Sequence, residues 1–333
     1  MIKKVLSRRY AVLVLLMLLM VFLTAEPAAA EDGKTMYLKK QGFSYFGCEE
    51  HYSDIYQVFG KGEKVNVLGK YRYKDNIYYK IKNYGLESYI PAALLTGKKP
   101  AIRYTAKASY KELKLSRKVR LYDIPSSKSE YILYDEDNLL TLGQTNNWYK
   151  VFVDGKVRFI KKTNSGIKKV TSAKYPYLLL DDISESEEKN LLRRFSYIYA
   201  MLPEKVRQDL KDEKVKITLC KSLPNEELEA AGCSGFTRTL KSEAEVNIYV
   251  KESKRPYRIE QSLIHEIGHA MTAIYGEPEE SLLEEGDNLN LEEHYSTIRE
   301  HIAETFDIRI KMPGYLKELA PNTYDFFSTV YQI

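Results

Sequence analysis

SLIHEIGHAMTAI, residues 262–274, holds two of the chain's five histidines, four positions apart, with a glutamate directly after the first. On an α-helix, positions i and i+4 share one face a turn apart, so His265 and His269 point the same way. Two imidazoles so placed can occupy two corners of a zinc tetrahedron, at Zn–N distances of about 2.0–2.1 Å. Glu266 projects about 100° around the helix, beside a metal rather than onto it. A base must stand there to take a proton from water that the metal activates. Leu263, Ile267, Met271 and Ile274 make an apolar stripe for the core. Gly268, inside the helix, costs about 1 kcal/mol relative to alanine. A close backbone approach under the metal explains it, and Gly276 can end the helix. The alternative is a surface helix with two solvent-facing histidines.

A catalytic zinc needs a third protein ligand and an open fourth position. The candidates lie downstream in EEHYSTIREHIAETFDIRI (292–310), on a helix expected from about Ser296 to Lys311. Glu300, Ala303, Glu304 and Asp307 share one face of it, and Ile298, Ile302, Phe306 and Ile310 form an apolar stripe beside them. An acidic face on a surface helix is the bland alternative. A small Ala303 between two glutamates instead leaves room for a second helix carrying a metal. Glu300 would then be the ligand. Glu304, one turn on, would accept a hydrogen bond from a ligand histidine and orient it. His294 and His301 are rival ligands, although His301 points about 100° away from Glu300.

Upstream, SESEEKNLLRRFSYIYAML (184–202) reads as a capped amphipathic helix ended by Pro203. EKVRQDLKDE continues as a second short helix. KVKITLC (214–220) and EVNIYVKE (245–252) alternate as strands do. A last helix, about Pro313 to Leu319, precedes PNTYDFFSTVYQI. This order reads as α+β. HEIGHA, EHIAETF and KELAPNTYDFF resemble the anthrax lethal-factor-like metallopeptidases, a group that includes the Pro-Pro endopeptidases, over roughly residues 175–333. The resemblance implies a zincin fold whose small sheet offers an edge strand to the substrate backbone, with EVNIYVKE as the candidate edge. It places the zinc glutamate at Glu300. It also implies a tyrosine seven residues earlier that stabilises the transition state. Position 293 is a glutamate, and Tyr295 stands five residues before Glu300. Tyr295 is therefore either that group, brought over the site by its loop, or a packing residue at a helix start.

The front of the chain differs in character. KVNVLGKYRYKDNIYYKIKNYGLESYIPAALL (64–95) and NLLTLGQTNNWYKVFVDGKVRFIKKT (138–163) echo each other. Leu68-Gly69 matches Leu142-Gly143, Tyr79-Lys80-Ile81 matches Tyr149-Lys150-Val151, and Tyr89-Ile90 matches Phe159-Ile160. Each is three short alternating runs, with NYG and VDG marking hairpin turns. TGKKPAIRYTAKAS (96–109) reads as a linker. The pattern resembles bacterial SH3-like (SH3b) domains, small barrels that hold secreted enzymes on the cell wall.

Residues 1–30 read as an export signal: a basic start, an uncharged apolar run from 10 to 25, then Ala28-x-Ala30 before Glu31. The 16-residue run is short for a membrane span, which needs about 20 apolar residues. Residues 31–170 carry 27 Lys/Arg against 15 Asp/Glu, and residues 171–333 carry 20 against 30. Outside a cell, a basic front more readily meets anionic wall polymer or a membrane surface than nucleic acid, and simple solubility charge is the alternative. Cys48, Cys220 and Cys233 form no C-x-x-C, which excludes a cysteine zinc knuckle. Cys220 with Cys233 is the candidate disulfide, and three buried thiols are the alternative.

The expectation is a multidomain chain: a signal peptide (1–30), two small all-β SH3-like barrels (31–97 and 108–168) and an α+β zincin-type metallopeptidase domain (172–333). It would be secreted or cell-wall associated and carry one zinc on His265, His269 and Glu300. Glu266 would be the base, Tyr295 a transition-state donor and Glu304 the group behind the ligands. The expected partners are a peptide or protein substrate and cell-wall polymer, with no nucleic acid and, after signal cleavage, no membrane. A wall-binding protein with a degenerate zincin domain, or a peptidoglycan crosslink hydrolase, are the alternatives.

Overall fold

The structure, a computed structural model, describes residues 33–48, 55–227, 235–240, 245–251, 259–289, 291 and 297–333. The expected signal (1–30), Cys233, His294 and Tyr295 lie outside the described residues. Among the described residues no helix is long and apolar enough to cross a membrane.

The front half builds two large antiparallel sheets. The first holds β1 (Lys34–Leu38), β2 (Gly42–Tyr45), β3 (Ile55–Phe59), β4 (Lys64–Tyr73), β5 (Asn76–Asn83), β6 (Leu86–Pro91) and β7 (Leu95–Thr96). The second holds β8 (Lys107–Ala108), β9 (Lys111–Leu115), β10 (Val119–Tyr122), β11 (Tyr131–Tyr134), β12 (Asn138–Gln144), β13 (Trp148–Val153), β14 (Lys156–Lys161) and β15 (Ile167–Ser172). Their orders are β3-β2-β6-β5-β4-β1-β7 and β11-β10-β14-β13-β12-β9-β15, with β8 added onto β12. The second order is the first shifted by eight labels, so the echo in sequence is a repeat of topology.

Register repeats as well. Tyr79 faces Ile90 and Lys80 faces Tyr89, while Tyr149 faces Ile160 and Lys150 faces Phe159. Both Leu-Gly pairs sit at a register shift, between Val67 and Gly69 in one copy and Thr141 and Gly143 in the other. Such a bulge bends a strand and deepens its twist. NYG and VDG do turn hairpins, with positive φ at Tyr84 (52°), Gly85 (77°), Asp154 (50°) and Gly155 (69°). Two such residues make the primed turn that matches strand twist. Among the described residues no ladder joins β3 to β7 or β11 to β15. Each sheet is an open path rather than a closed barrel.

The segment read as a linker is packed against both sheets. Tyr104 bridges Glu63 through its backbone, and its ring stands edge-on to Phe159 at 5.1 Å. An aromatic side chain in a connection needs somewhere dry, and the cleft between the sheets supplies it.

The remainder mixes helices with a four-stranded sheet. β16 (Leu178–Asp181) precedes α1 (Glu185–Tyr199) and α2 (Glu204–Asp212); β17 (Lys216–Cys220), β18 (Gly235–Leu240) and β19 (Glu245–Lys251) follow. Then come α3 (Ile259–Tyr275), α4 (Ile298–Lys311), α5 (Pro313–Leu319), α6 (Pro321–Phe326) and a π-helical turn over Phe327–Tyr331. Ser184 and Glu187 close a capping box on α1. The sheet order is β16-β17-β19-β18, parallel except for the β18–β19 pair. EVNIYVKE is thus an inner strand, not the expected edge. β18 pairs along its outer side, and Ile248 and Val250 of β19 are fully buried. Cys220 is buried at the end of β17.

Among the described residues one apolar core spans the front sheets and the helical part, joining Val58, Leu142 and Phe159 to Phe195, Ile198, Leu263, Ile267 and Phe306. Each front sheet keeps a smaller core of its own. A fully buried ion pair sits where the parts meet. Lys150 Nζ donates to Glu63 Oε2 at 2.8 Å, to the Val58 carbonyl at 2.8 Å and to the Tyr84 hydroxyl at 2.9 Å. Tyr84 in turn donates to Glu63 Oε1 at 2.7 Å, and the Val58 amide donates to the Tyr197 hydroxyl of α1 at 2.8 Å.

Candidate metal centre

α3 and α4 bring the motif residues together. The two helices touch where α3 has no side chain: a Cβ on Gly268 would stand 2.7 Å from Ala303 Cα and 3.1 Å from Ala303 O. Contact that close admits only glycine facing a small residue, and it sets the separation of the helices. Leu263, Ile264, Ile267 and Met271 of α3 are fully buried. Arg194 of α1 pairs with Glu260 of α3, both buried. Thr297 caps α4, its hydroxyl accepting from the Glu300 amide. That cap places Glu300 in the first turn.

His265, His269 and Glu300 each offer one ligand atom within a sphere of mutual distances no longer than 4.8 Å. His265 Nε2 lies 3.2 Å from Glu300 Oε2, and His269 Nε2 lies 3.4 Å from Glu300 Oε1. Two atoms each about 2.0–2.1 Å from a tetrahedral zinc stand about 3.3 Å apart. Each separation, one to either oxygen of the Glu300 carboxylate, is the length of an edge of such a tetrahedron. Two imidazoles and one carboxylate also have the donor chemistry that zinc accepts. The residues fit the metal.

Electrostatics favour a cation at the same point. Burial opposes a charge on His265, but its hydrogen bonds to Glu300 and Glu304 outweigh that and push its pKa up to about 10. Burial also works against the Glu300 charge, yet the two histidines hold its carboxyl well below the usual range. Glu304, buried, faces His265 Nδ1 at 2.9 Å. A carboxylate accepting from Nδ1–H leaves the Nε2 lone pair for a metal.

Glu266 projects about 100° around the helix from His265, beside the cluster. It is 5% exposed and wedged against β18. The Thr237 hydroxyl stands 2.9 Å from both Glu266 Oε2 and the Glu266 carbonyl, and so can donate to either. A Cβ on Gly235 would lie 2.9 Å from Glu266 Oε1 and Cγ. Burial pushes the Glu266 carboxyl up, with His265 and His269 opposing.

The remaining expectations sort plainly. His301 is buried away from the cluster, near Gly286, and burial lowers its pKa to about 4. The acidic face of α4 is not a solvated one. Glu304 and Asp307 are both buried, and Asp307 accepts from Lys311 Nζ at 2.7 Å. Gly235 and Thr237 went unread in the sequence. Their signal was the alternating stretch GFTRTL, short and half polar.

No protein-family model matches the chain, and no curated protein matches it. Among solved structures, a PRO-PRO endopeptidase (PPEP-2) from Paenibacillus alvei is similar at 17% identity, covering 45% of this chain and 95% of that one, with a TM-score of 0.33. A likeness of that degree fixes neither fold nor chemistry, and the site stands on its own geometry.

Proposed function

We propose that this chain is a secreted zinc-dependent endopeptidase. The carrying observation is the convergence of His265, His269 and Glu300, their ligand atoms within 4.8 Å of one another, with Glu266 buried beside them. His265, His269 and Glu300 would hold one zinc. When bound, zinc supplies a Lewis acid that polarises a carbonyl and lowers the pKa of water.

The chain's own groups do the rest. Glu304 fixes the tautomer and tilt of His265. Glu266 takes a proton from water and passes it to the leaving amine, and its raised pKa suits both halves of that task. Thr237 holds one carboxylate oxygen. β18 is the edge strand nearest this base, and an exposed edge can pair with an extended peptide. Tyr295 is retained as the proposed transition-state donor.

The proposed division is a signal over 1–30, SH3-like units over 31–97 and 108–168, and the peptidase over 172–333. The repeated strand order supports two copies of one unit. We assign them to cell-surface attachment through their basic charge.

The test is Glu266→Gln in the mature chain, with zinc content and cleavage of a diverse peptide library measured together. The expected variant keeps stoichiometric zinc and loses about 10²–10⁴-fold in turnover. Unchanged turnover would refute the mechanism. Absent cleavage in the zinc-loaded wild type, with wall digestion in a gel instead, would mark a peptidoglycan hydrolase.

A further inference from the structure

We propose that a second site lies at the far end of α4: a cavity of about 250 Å³ between the second sheet and α4, binding a small carboxylate with an apolar body through Arg309. Arg309 is nine residues beyond Glu300, about 13 Å along the helix axis, so this is not the metal centre.

The Arg309 side chain is only 7% exposed and lines the cavity. Among the described residues nothing hydrogen-bonds its Nε. Its guanidinium lies 4.7 Å from the centre of the Tyr324 ring, and Asp154 is the carboxylate whose charge reaches it. A buried guanidinium calls for a hydrogen-bonded counter-charge, because desolvation without one is costly.

Of the five other charged side chains of the wall, four are committed elsewhere, and the fifth, Asp154, is exposed. Arg207 donates to Glu204 Oε2 and to the Leu202 carbonyl; Lys205 donates to Asp209 and Tyr275. Glu204 also accepts from Asn138, and Glu136 accepts from the Tyr134 hydroxyl. Arg309 Nε is left without a hydrogen-bond partner among the described residues. The guanidinium's planar fork matches a carboxylate in two-point contact.

Leu139, Phe152, Met201 and Ile310 supply apolar walls. The volume exceeds the roughly 150 Å³ of an engineered apolar cavity that admits benzene. A branched acid of about five carbons fits both features.

The experiment is calorimetric titration of the full chain with 3-methylbutanoate, its primary amide and inorganic phosphate. The acid should bind, and the amide about ten- to a hundred-fold more weakly, for want of the charge-assisted hydrogen bonds. Phosphate, with no apolar body, should bind more weakly than the acid. Arg309→Gln should bring the acid down to the level of the amide. Equal affinity for acid and amide, or no binding of the acid by folded wild type at about 50 mM, would overturn the site. Phosphate binding as tight as the acid's would overturn the amphipathic ligand. The acid–amide comparison needs no variant and stands if Arg309→Gln fails to fold.

Discussion

Thr237 and Glu266 meet across the gap between an edge strand and a helix, and that contact decides where the base points. A carboxylate on a helix has three staggered χ1 choices, and the hydroxyl 2.9 Å from Oε2 selects one. Thr237→Val keeps the shape and removes the donor. Turnover should fall about ten- to a hundred-fold, the worth of a hydrogen bond to a charged group. Zinc content and KM should hold, and Thr237→Ser should restore much of the rate. A valine variant with wild-type kcat would end the claim. Helical spacing put His265 and His269 on one face of α3, and Glu300 and Glu304 on one face of α4, but it did not show that the two faces meet. Gly268 was legible too, as a mid-helix glycine that needed a reason, and Ala303 against it is that reason. Thr237 was not, since its role exists only once β18 docks on α3.

The strand order of the small sheet shows the same limit one level up. β17 and β19 read correctly as strands from their alternation, but which of them is an edge depends on who pairs with whom. Parallel neighbours come from crossovers, which leave no local mark in the chain. GFTRTL forms the true edge with a weak pattern, so EVNIYVKE was mistaken for it. α4 was legible as a helix and not as one buried on nearly every side from His301 to Lys311. The 3₁₀ segment Glu280–Glu285 ends in a residue with a task of the same kind. Glu285, buried, accepts from the Asn322 amide at 3.0 Å, the Thr323 amide at 2.8 Å and the Thr323 hydroxyl at 2.8 Å. It caps α6 from a distant part of the chain, satisfying amide groups that open a helix without partners. Glu285→Ala should cost about 1–3 kcal/mol, because the donors stay buried. Urea unfolding would measure it, and a loss below about 0.5 kcal/mol would mean that the cap is solvated.

At the scale of the molecule, the repeat misled in an instructive way. Lys80 and Lys150 hold the same place in the two copies, opposite Gly69 and Gly143. Lys80 pairs with Glu87 at the surface, while Lys150 is fully buried against Glu63. Sequence shows the shared register and cannot show that the second copy's lysine faces a junction. Lys150→Met would strand a buried Glu63 and cost about 3–5 kcal/mol, with Glu63→Leu added recovering most of it; urea unfolding of the two variants checks this. The buried tyrosines make the chain sensitive to alkali. Burial pushes Tyr84, Tyr104 and Tyr197 well above their usual range, and pushes Tyr175, Tyr199 and Tyr331 up to about 12. A raised pKa means that the folded state keeps a proton the unfolded chain releases near pH 10. These tyrosines therefore stabilise fully below pH 10, and their contribution is lost as pH climbs through 12 and beyond. Lys150, Arg158 and Arg309 act in the opposite sense, since burial lowers their pKa values, but the raised tyrosines outnumber them. Each tyrosine forfeits about 1.4 kcal/mol per pH unit above 10. Six of them at pH 11 approach the whole stability of an ordinary fold, about 5–15 kcal/mol. The chain should unfold cooperatively between about pH 10 and 12, with tyrosinate absorbance and loss of helical signal rising together. Phenolates that titrate smoothly near pH 10 while the helical signal persists would mean that the shared core opens before it unfolds, and that the three sheets are not one cooperative unit.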